Sequence, residues 1–426
     1  MVDYNNLSKN ELLELEKDLE KRYAEYVNLN LNLDMSRGKP GPSQLDLSDG
    51  LLDRLDSYKT EAGLDVRNYG VLDGIPEIKK IFADLLGLKE ENIIIGGNSS
   101  LNLMYDQLTR LFLFGTLGNK PWSKLERVKF LCPCPGYDRH FTMLNSFGIE
   151  MINIDMNDNG PDIDTIKELV KNDDSIKGIF CVPLYSNPQG ICYSDEVVRE
   201  LAQMETAAKD FRIFWDNAYG VHHLYGKHEA HKLLDIFKEA EKVGNEDRIY
   251  YFFSTSKITF PGAGVSLISS SNNNITEIKK YMSAQTIGHD KINQLHIVKY
   301  FKDANGIVEH MKKLADDMRP KFDLVLDTLD KELGGTGLLT WRIPGGGYFV
   351  TVDTLKGCAK ETVELGKKAG VIITPAGASF PHGIDENDTN IRIAPTYPSI
   401  EELKIAIELF CVCVKLAGVR KLISEK

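Results

Sequence analysis

The chain has 426 residues, 42% of them hydrophobic and 27% charged, which excludes a disordered or collagen-like protein and implies two or three domains at roughly 150 residues each. Its net charge of −11 repels phosphate backbones, so no nucleic-acid partner is expected, while a local basic site for a small anion remains compatible with it. No apolar run approaches the roughly 18 residues of a membrane helix, and residues 1–5 do not begin a basic-then-apolar leader, so neither a membrane partner nor secretion is expected.

In chain order, Ser8 and Glu11 form a capping-box pattern, and Leu12, Leu15, Leu19, Tyr23 and Tyr26 recur at helical spacing. Two prolines and two glycines within Met35–Pro42 then predict a loop at a domain junction. Short β-rich apolar runs follow at Asn92–Ile95, Val128–Cys132, Gly178–Val182, Arg212–Trp215, Ile249–Phe253 and Val265–Ile268. Few polar residues interrupt them, as in strands buried on both faces of a mainly parallel sheet. Helical patterns at Pro76–Leu86, Ser100–Phe114, Ile163–Lys171 and Ser194–Lys209 lie between them, whereas Ser271–Asn274 reads as a turn. The β–α alternation predicts an α/β fold with a doubly wound sheet. A helical stretch over Lys291–Leu333, strands at Gly347–Val352 and Asn390–Ile393, and a helix over Ile400–Leu416 predict a smaller α+β domain.

The seven cysteines, Cys132, Cys134, Cys181, Cys192, Cys358, Cys411 and Cys413, are odd in number and scattered. They read as free thiols in a reducing cytoplasm. The C-P-C and C-V-C pairs lack zinc-ligand spacing, so no metal is expected.

Ligands of open α/β sheets bind beyond the carboxyl ends of the strands. Five consecutive predicted strand ends carry chemistry there: Gly97-Asn98-Ser99-Ser100, Pro135-Gly136-Tyr137, Asn187-Pro188-Gln189-Gly190, Asp216-Asn217-Ala218-Tyr219 and Ser254-Thr255-Ser256-Lys257. Taken singly, each has an ordinary structural explanation: a helix cap, a surface ring, a turn, a solvated lysine. Asp216 ends an apolar strand, where a carboxylate needs a cation. Lys257 follows another, where a desolvated amine becomes nucleophilic. Together they suit one ligand. A helix N-terminus, Ser254 and Ser256 suit a phosphate; Tyr137 suits a flat ring; Asp216 suits a protonated ring nitrogen; Asn187 and Tyr219 suit a ring hydroxyl; Lys257 suits an aldehyde. That ligand is pyridoxal 5'-phosphate.

These motifs, with Tyr69-Gly70, Gly74-Ile75-Pro76, Pro344–Phe349 and Asn390–Ala394, occur in the order found in fold-type I pyridoxal-phosphate aminotransferases. The sequence resembles their aspartate aminotransferase kind, most closely a divergent bacterial subgroup of class I. The resemblance implies a large cofactor-binding domain over residues 49–300. A small C-terminal domain over 301–426 would be joined by the N-terminal helix and loop of 1–48. It implies that Lys257 links to the cofactor and moves the proton, and that Asp216 keeps the ring nitrogen protonated with His140 behind it. Asn187 and Tyr219 would bind the ring oxygen, Tyr137 would stack on the ring, and Ser99, Ser100, Ser254 and Ser256 would hold the phosphate. Tyr69 would reach the neighbouring subunit's phosphate, implying a homodimer with shared sites. Arg392 would grip the substrate α-carboxylate, with Gly38 approaching it through its backbone.

The implied reaction moves an amino group from an L-amino acid, foremost aspartate, to a 2-oxo acid, foremost 2-oxoglutarate. Aromatic, branched or 2-aminoadipate-type substrates stand as the alternative. A cofactor-binding sensor, or another reaction such as β-elimination or decarboxylation, is more remote, because a fold does not fix a function. Arg37, Lys39, His289 and Lys291 are candidates for a second carboxylate. One departure stands out: the family's phosphate-binding arginine falls near Val265, where this chain has no basic residue.

Overall fold

The computed structural model describes residues 2–225 and 232–426. The strands, in chain order, are β1 (Leu33–Met35), β2 (Ile93–Ile95), β3 (Lys129–Cys134), β4 (Glu150–Asn157), β5 (Gly160–Pro161), β6 (Ile176–Cys181), β7 (Arg212–Asp216), β8 (Ile249–Ser254), β9 (Ser266–Ser269), β10 (Leu339–Trp341), β11 (Val350–Thr354), β12 (Val371–Ile373) and β13 (Asn390–Ile393). Eight of them form the main sheet in the order β2-β9-β8-β7-β6-β3-β4-β5. The pairings β4–β3–β6–β7–β8 are parallel, and β9 runs antiparallel to both β8 and β2.

Every residue of β6, β7 and β8 is buried, because helices cover both faces of the sheet. Alternation sorts their side chains. Ile213, Trp215, Tyr251 and Phe253 join one buried cluster; Phe214, Tyr250, Phe252 and Phe180 join the other. Asp216 therefore projects to the same side as Phe214.

The first helix, Lys9–Val27, starts with the expected capping box at Ser8 and Glu11 and packs on the last helix, Ile400–Glu425. β1 pairs in parallel with β12, so the N-terminal loop is stitched to the C-terminal part. β10, β11 and β13 form a separate antiparallel sheet. Its Val350, Val352, Ile391 and Ile393 share a third core with Leu12, Leu19, Met35 and Phe410. The helix Ala304–Leu333 serves two cores: Ile307, Met311 and Leu314 pack under the main sheet, while Met318, Phe322, Val325 and Leu329 join the third core.

The structure corrects several sequence readings. The stretch Lys291–Leu333 is two helices, Lys291–Phe301 and Ala304–Leu333, broken at Lys302 in the left-handed region and restarted by the Asp303 cap. Gly306 packs so close to the Phe301 carbonyl that a Cβ would lie 1.9 Å from its oxygen. Ser271–Asn274 is a helix start: the Ser271 hydroxyl accepts from the Asn274 N–H and caps Asn272–Gln285. The helix expected over Ser194–Lys209 stops at Gln203, and the final helix runs past Leu416 to Glu425. Among the described residues, no helix is long and apolar enough to cross a membrane. Six of the cysteines are buried, Cys192 is partly exposed, and all seven are free.

Candidate active site

The main sheet reverses its winding between β3 and β6, and the carboxyl ends of β3, β6, β7 and β8 open beside that switch. A cavity of about 130 Å³ lies there. Its lining includes Ser99, Ser100, Tyr137, Asn187, Asp216, Tyr219, Ser254, Ser256 and Lys257, nine of the residues singled out from sequence.

Asp216 is buried at the end of β7. Its Oδ2 lies 3.0 Å from Nε2 of His140, and its Oδ1 has no hydrogen-bond partner. His140 is fixed in turn by stacking on Phe180, with ring centroids 4.2 Å apart and planes 11° apart. Lys257 follows β8, and its Nζ lies 4.9 Å from the Tyr219 ring centroid. Burial pushes the Tyr219 phenol well above its usual range, the neighbouring Asp216 carboxylate adds to this, and the Asn187 side chain hydrogen-bonds to it. Burial likewise raises Tyr137, against the lowering effect of Lys257.

Ser99 caps the helix Ser100–Phe114 by accepting from the Leu101 N–H, so the positive end of that helix faces the cavity. Ser254 donates to Ser256 at 3.1 Å, and Ser256 donates to the Asn98 carbonyl at 2.8 Å. The family's arginine position holds Val265, which is buried. Among the described residues, Lys257 is the only basic side chain lining this cavity.

Arg392, buried on β13, reaches the site through Asn187: its Nη1 donates to Asn187 Oδ1 at 3.1 Å. Its guanidinium carbon lies 4.9 Å from the Phe349 ring centroid, and Nε donates to Thr374. Gly38 backs that ring: a Cβ on Gly38 would lie 2.5 Å from the Phe349 ring edge.

Tyr69 is not brought to this cavity. It is 82% exposed and borders a separate hollow of about 460 Å³ with Arg67, His289 and Lys291. Burial lowers the His289 imidazole below its ordinary range. Lys39 lies over Tyr397, 3.6 Å from the ring centroid, and Arg37 borders a third hollow beside Arg392.

Three site residues escaped the sequence reading. His222 is buried beneath the lysine, its Nε2 3.2 Å from the Lys257 carbonyl oxygen. The Tyr348 hydroxyl lies 3.3 Å from the same oxygen and 3.2 Å from Gln44 Oε1, so its one proton is shared between the two acceptors. The His222 imidazole is held neutral, its pKa pushed down to about 3 chiefly by burial. Asp138, one residue after Tyr137, contacts Arg392. His222 lies three residues after Tyr219 and Tyr348 falls inside the Pro344–Phe349 motif, so sequence proximity was the one available signal.

The family described as aspartate amino-transferase matches residues 7–426. An aspartate aminotransferase from Corynebacterium glutamicum is 45% identical over 405 residues, covering 94% of this chain and 93% of the relative. The crystal structure of an aspartate transaminase from that species superposes with a TM-score of 0.96 at 42% identity, covering 99% of both chains. At 21% identity, the kynurenine aminotransferase of Pyrococcus horikoshii still superposes with a TM-score of 0.73 over 93% of each chain and shares the fold. On a match of this length and identity, the chain belongs to the aspartate amino-transferase family and is a transaminase.

Proposed function

We propose that this transaminase moves the amino group of L-aspartate to 2-oxoglutarate, using pyridoxal 5'-phosphate held in the cavity between Asp216 and Lys257. The single observation carrying the cofactor reading is the buried Asp216 Oδ1 without a partner. A buried carboxylate oxygen is costly without a donor, and a protonated ring nitrogen supplies one. The remaining lining fits the same group: an amine for its aldehyde, two donors for its ring oxygen, and hydroxyls with a helix N-terminus for its phosphate.

When bound, the cofactor supplies a ring that takes up the electron pair left at the substrate α-carbon. Asp216 holds the ring-nitrogen proton at Oδ1, and His140 orients the carboxylate from Oδ2. Lys257 Nζ would take the proton from the substrate α-carbon and pass it to the cofactor's aldehyde-derived carbon, the transfer that leaves the amino group behind. Tyr219 and Asn187 donate to the ring oxygen. Tyr137 covers the ring and limits water. The planar fork of Arg392 binds the α-carboxylate in two hydrogen bonds, and the Asn187 carbonyl oxygen on Nη1 fixes its orientation.

Aspartate is favoured by the name of the C. glutamicum relative. The exposure of Tyr69 beside His289 and Lys291 supports a homodimer in which that hollow faces the partner's site. The β1–β12 pairing supports a small domain built from residues 1–48 and 301–426, with 49–300 forming the large one.

The test is optical. The purified protein is expected to carry the visible band of the lysine-bound cofactor, lose it on addition of L-aspartate with release of oxaloacetate, and regain it with 2-oxoglutarate. Steady-state rates at several concentrations of both substrates are expected to give parallel double-reciprocal lines, as for a ping-pong scheme. A band unmoved by aspartate but bleached by another amino acid overturns the substrate. A protein that cannot be loaded with pyridoxal phosphate overturns the cofactor.

A further inference from the structure

Arg392 is already paired with a carboxylate of its own chain. Its Nη1 donates to Asp138 Oδ1 at 3.1 Å as well as to Asn187 Oδ1 at the same distance. The Arg392 side chain is 7% exposed, and that of Asp138 is 34% exposed. Asp138 opens the helix Asp138–Ser146, immediately after the ring-stacking candidate Tyr137, and reaches the guanidinium from that helix's first turn.

The contact has a clear energetic sense. An unpaired buried guanidinium is costly, and the contact with Asp138 removes that cost. Yet a second carboxylate arriving at the same guanidinium meets the Asp138 charge at hydrogen-bonding range, where like charges repel strongly. Both anions cannot keep the close contact. Asp138 has somewhere to go: it and Arg392 border a hollow of about 710 Å³ whose wall also carries Arg37, Arg139, Lys360 and Lys367 against one further acid, Glu364. Among the described residues, none of these four makes an ion pair with Asp138; its one salt bridge is to Arg392.

We propose that Asp138 is a resident counter-carboxylate for Arg392, displaced by the substrate's carboxylate toward the basic wall of the neighbouring hollow. Asp138 thereby sets the affinity of the site for carboxylate ligands. This rests on the reading of Arg392 as the substrate-carboxylate clamp. Asp138 acts through Arg392, tunes affinity for all carboxylate ligands alike, and is not a member of the proton-transfer machinery. The displacement holds every amino donor and oxo-acid acceptor to weaker binding than the bare guanidinium would give, and favours rapid release of product.

The test is binding of unreactive carboxylates to the cofactor-loaded protein, followed by calorimetry. Propionate is the monocarboxylate probe and succinate the dicarboxylate probe. Asp138→Asn and Asp138→Ala are expected to tighten both probes by about tenfold, the scale of one lost charge contact at a partly buried site. Equal tightening of the two probes places the effect at the shared carboxylate on Arg392. Thermal melts of each variant identify any loss of folding, and the variant that folds carries the test. Unchanged or weaker binding in the folded variants, with binding lost in Arg392→Ala, overturns the role of Asp138 and leaves the clamp standing. Binding that survives Arg392→Ala overturns both.

Discussion

The Nε2 of His140 and the Oδ2 of Asp216 stand 3.0 Å apart in the buried floor of the cavity, leaving the opposite carboxylate oxygen free. In the proposed site, one oxygen serves positioning and the other the ligand. Asp216→Ala is expected to release the cofactor on dialysis and to lower kcat by about a thousandfold or more, as for loss of a preorganised charge at a reacting group. His140→Phe retains the stack on Phe180 but frees Oδ2. It is expected to lose about tenfold in kcat while keeping cofactor, as for a supporting contact one step removed. Equal losses in the two variants would show that the oxygens do not divide the work.

In the proposed mechanism, Lys257 supplies the reactive amine. Lys257→Ala is expected to fold, to bind pyridoxal phosphate without its lysine-linked band, and to lose turnover by about 10⁴-fold or more. Single-turnover absorbance with L-aspartate measures this, and turnover near that of the parent protein rules out the assignment.

Arg392→Ala is expected to raise KM for every amino donor by about a hundredfold, in line with loss of one partner of a buried charge-assisted contact. Arg392→Lys is expected to recover little, because a point charge does not replace a planar two-pronged donor. Full recovery by lysine shows that charge alone suffices.

Gly38 backs Phe349, which in turn lies against Arg392. Gly38→Ala pushes the ring and tilts the guanidinium. The expected result is a KM raised by about tenfold with a small change in kcat, since a displacement near 1 Å is enough to disturb oriented binding. An unaltered KM would mean the ring yields without moving the arginine.

His222 is neutral when folded, with its pKa lowered from 6.5 to about 3. The unfolded chain takes up a proton below about 6.5 and the folded chain does not until about 3, so stability is lost as pH falls through that window. From about pH 7 to pH 5 the loss attributable to His222 is expected to be about 2 kcal/mol. Urea melts of the parent protein and His222→Gln at both pH values isolate it, because other buried histidines titrate equally in the two. Parallel pH dependence in the two proteins disproves it.

Nine cavity residues were legible because five strands, β2, β3, β6, β7 and β8, end on one side of the sheet, and each end is followed within a few residues by a polar or aromatic group. Asp138 was not legible: its partner lies 254 positions away, and nothing local in Asp-Arg-His marks a link to Arg392. Tyr69 was legible as a motif, but one chain gives it no contact with the cavity. β4 was missed because Asn153, Asp155 and Asn157 interrupt its apolar residues; only Ile154 is buried, as befits a strand near the sheet edge. The helix starting at Asn272 was missed because three consecutive asparagines read as a turn, whereas the Ser271 cap and the buried Ile275, Ile278 and Met282 override that preference.

The helix Ala304–Leu333 is committed to two bodies at once, with Leu314 in the core under the main sheet and Met318 in the core shared with the chain's first helix. Pro320 lies just past that crossing and supplies no amide hydrogen to the preceding turn. Melting either body frays a rod that the other depends on. Neither core can melt without disturbing a helix the other shares, so their unfolding is expected to be coupled.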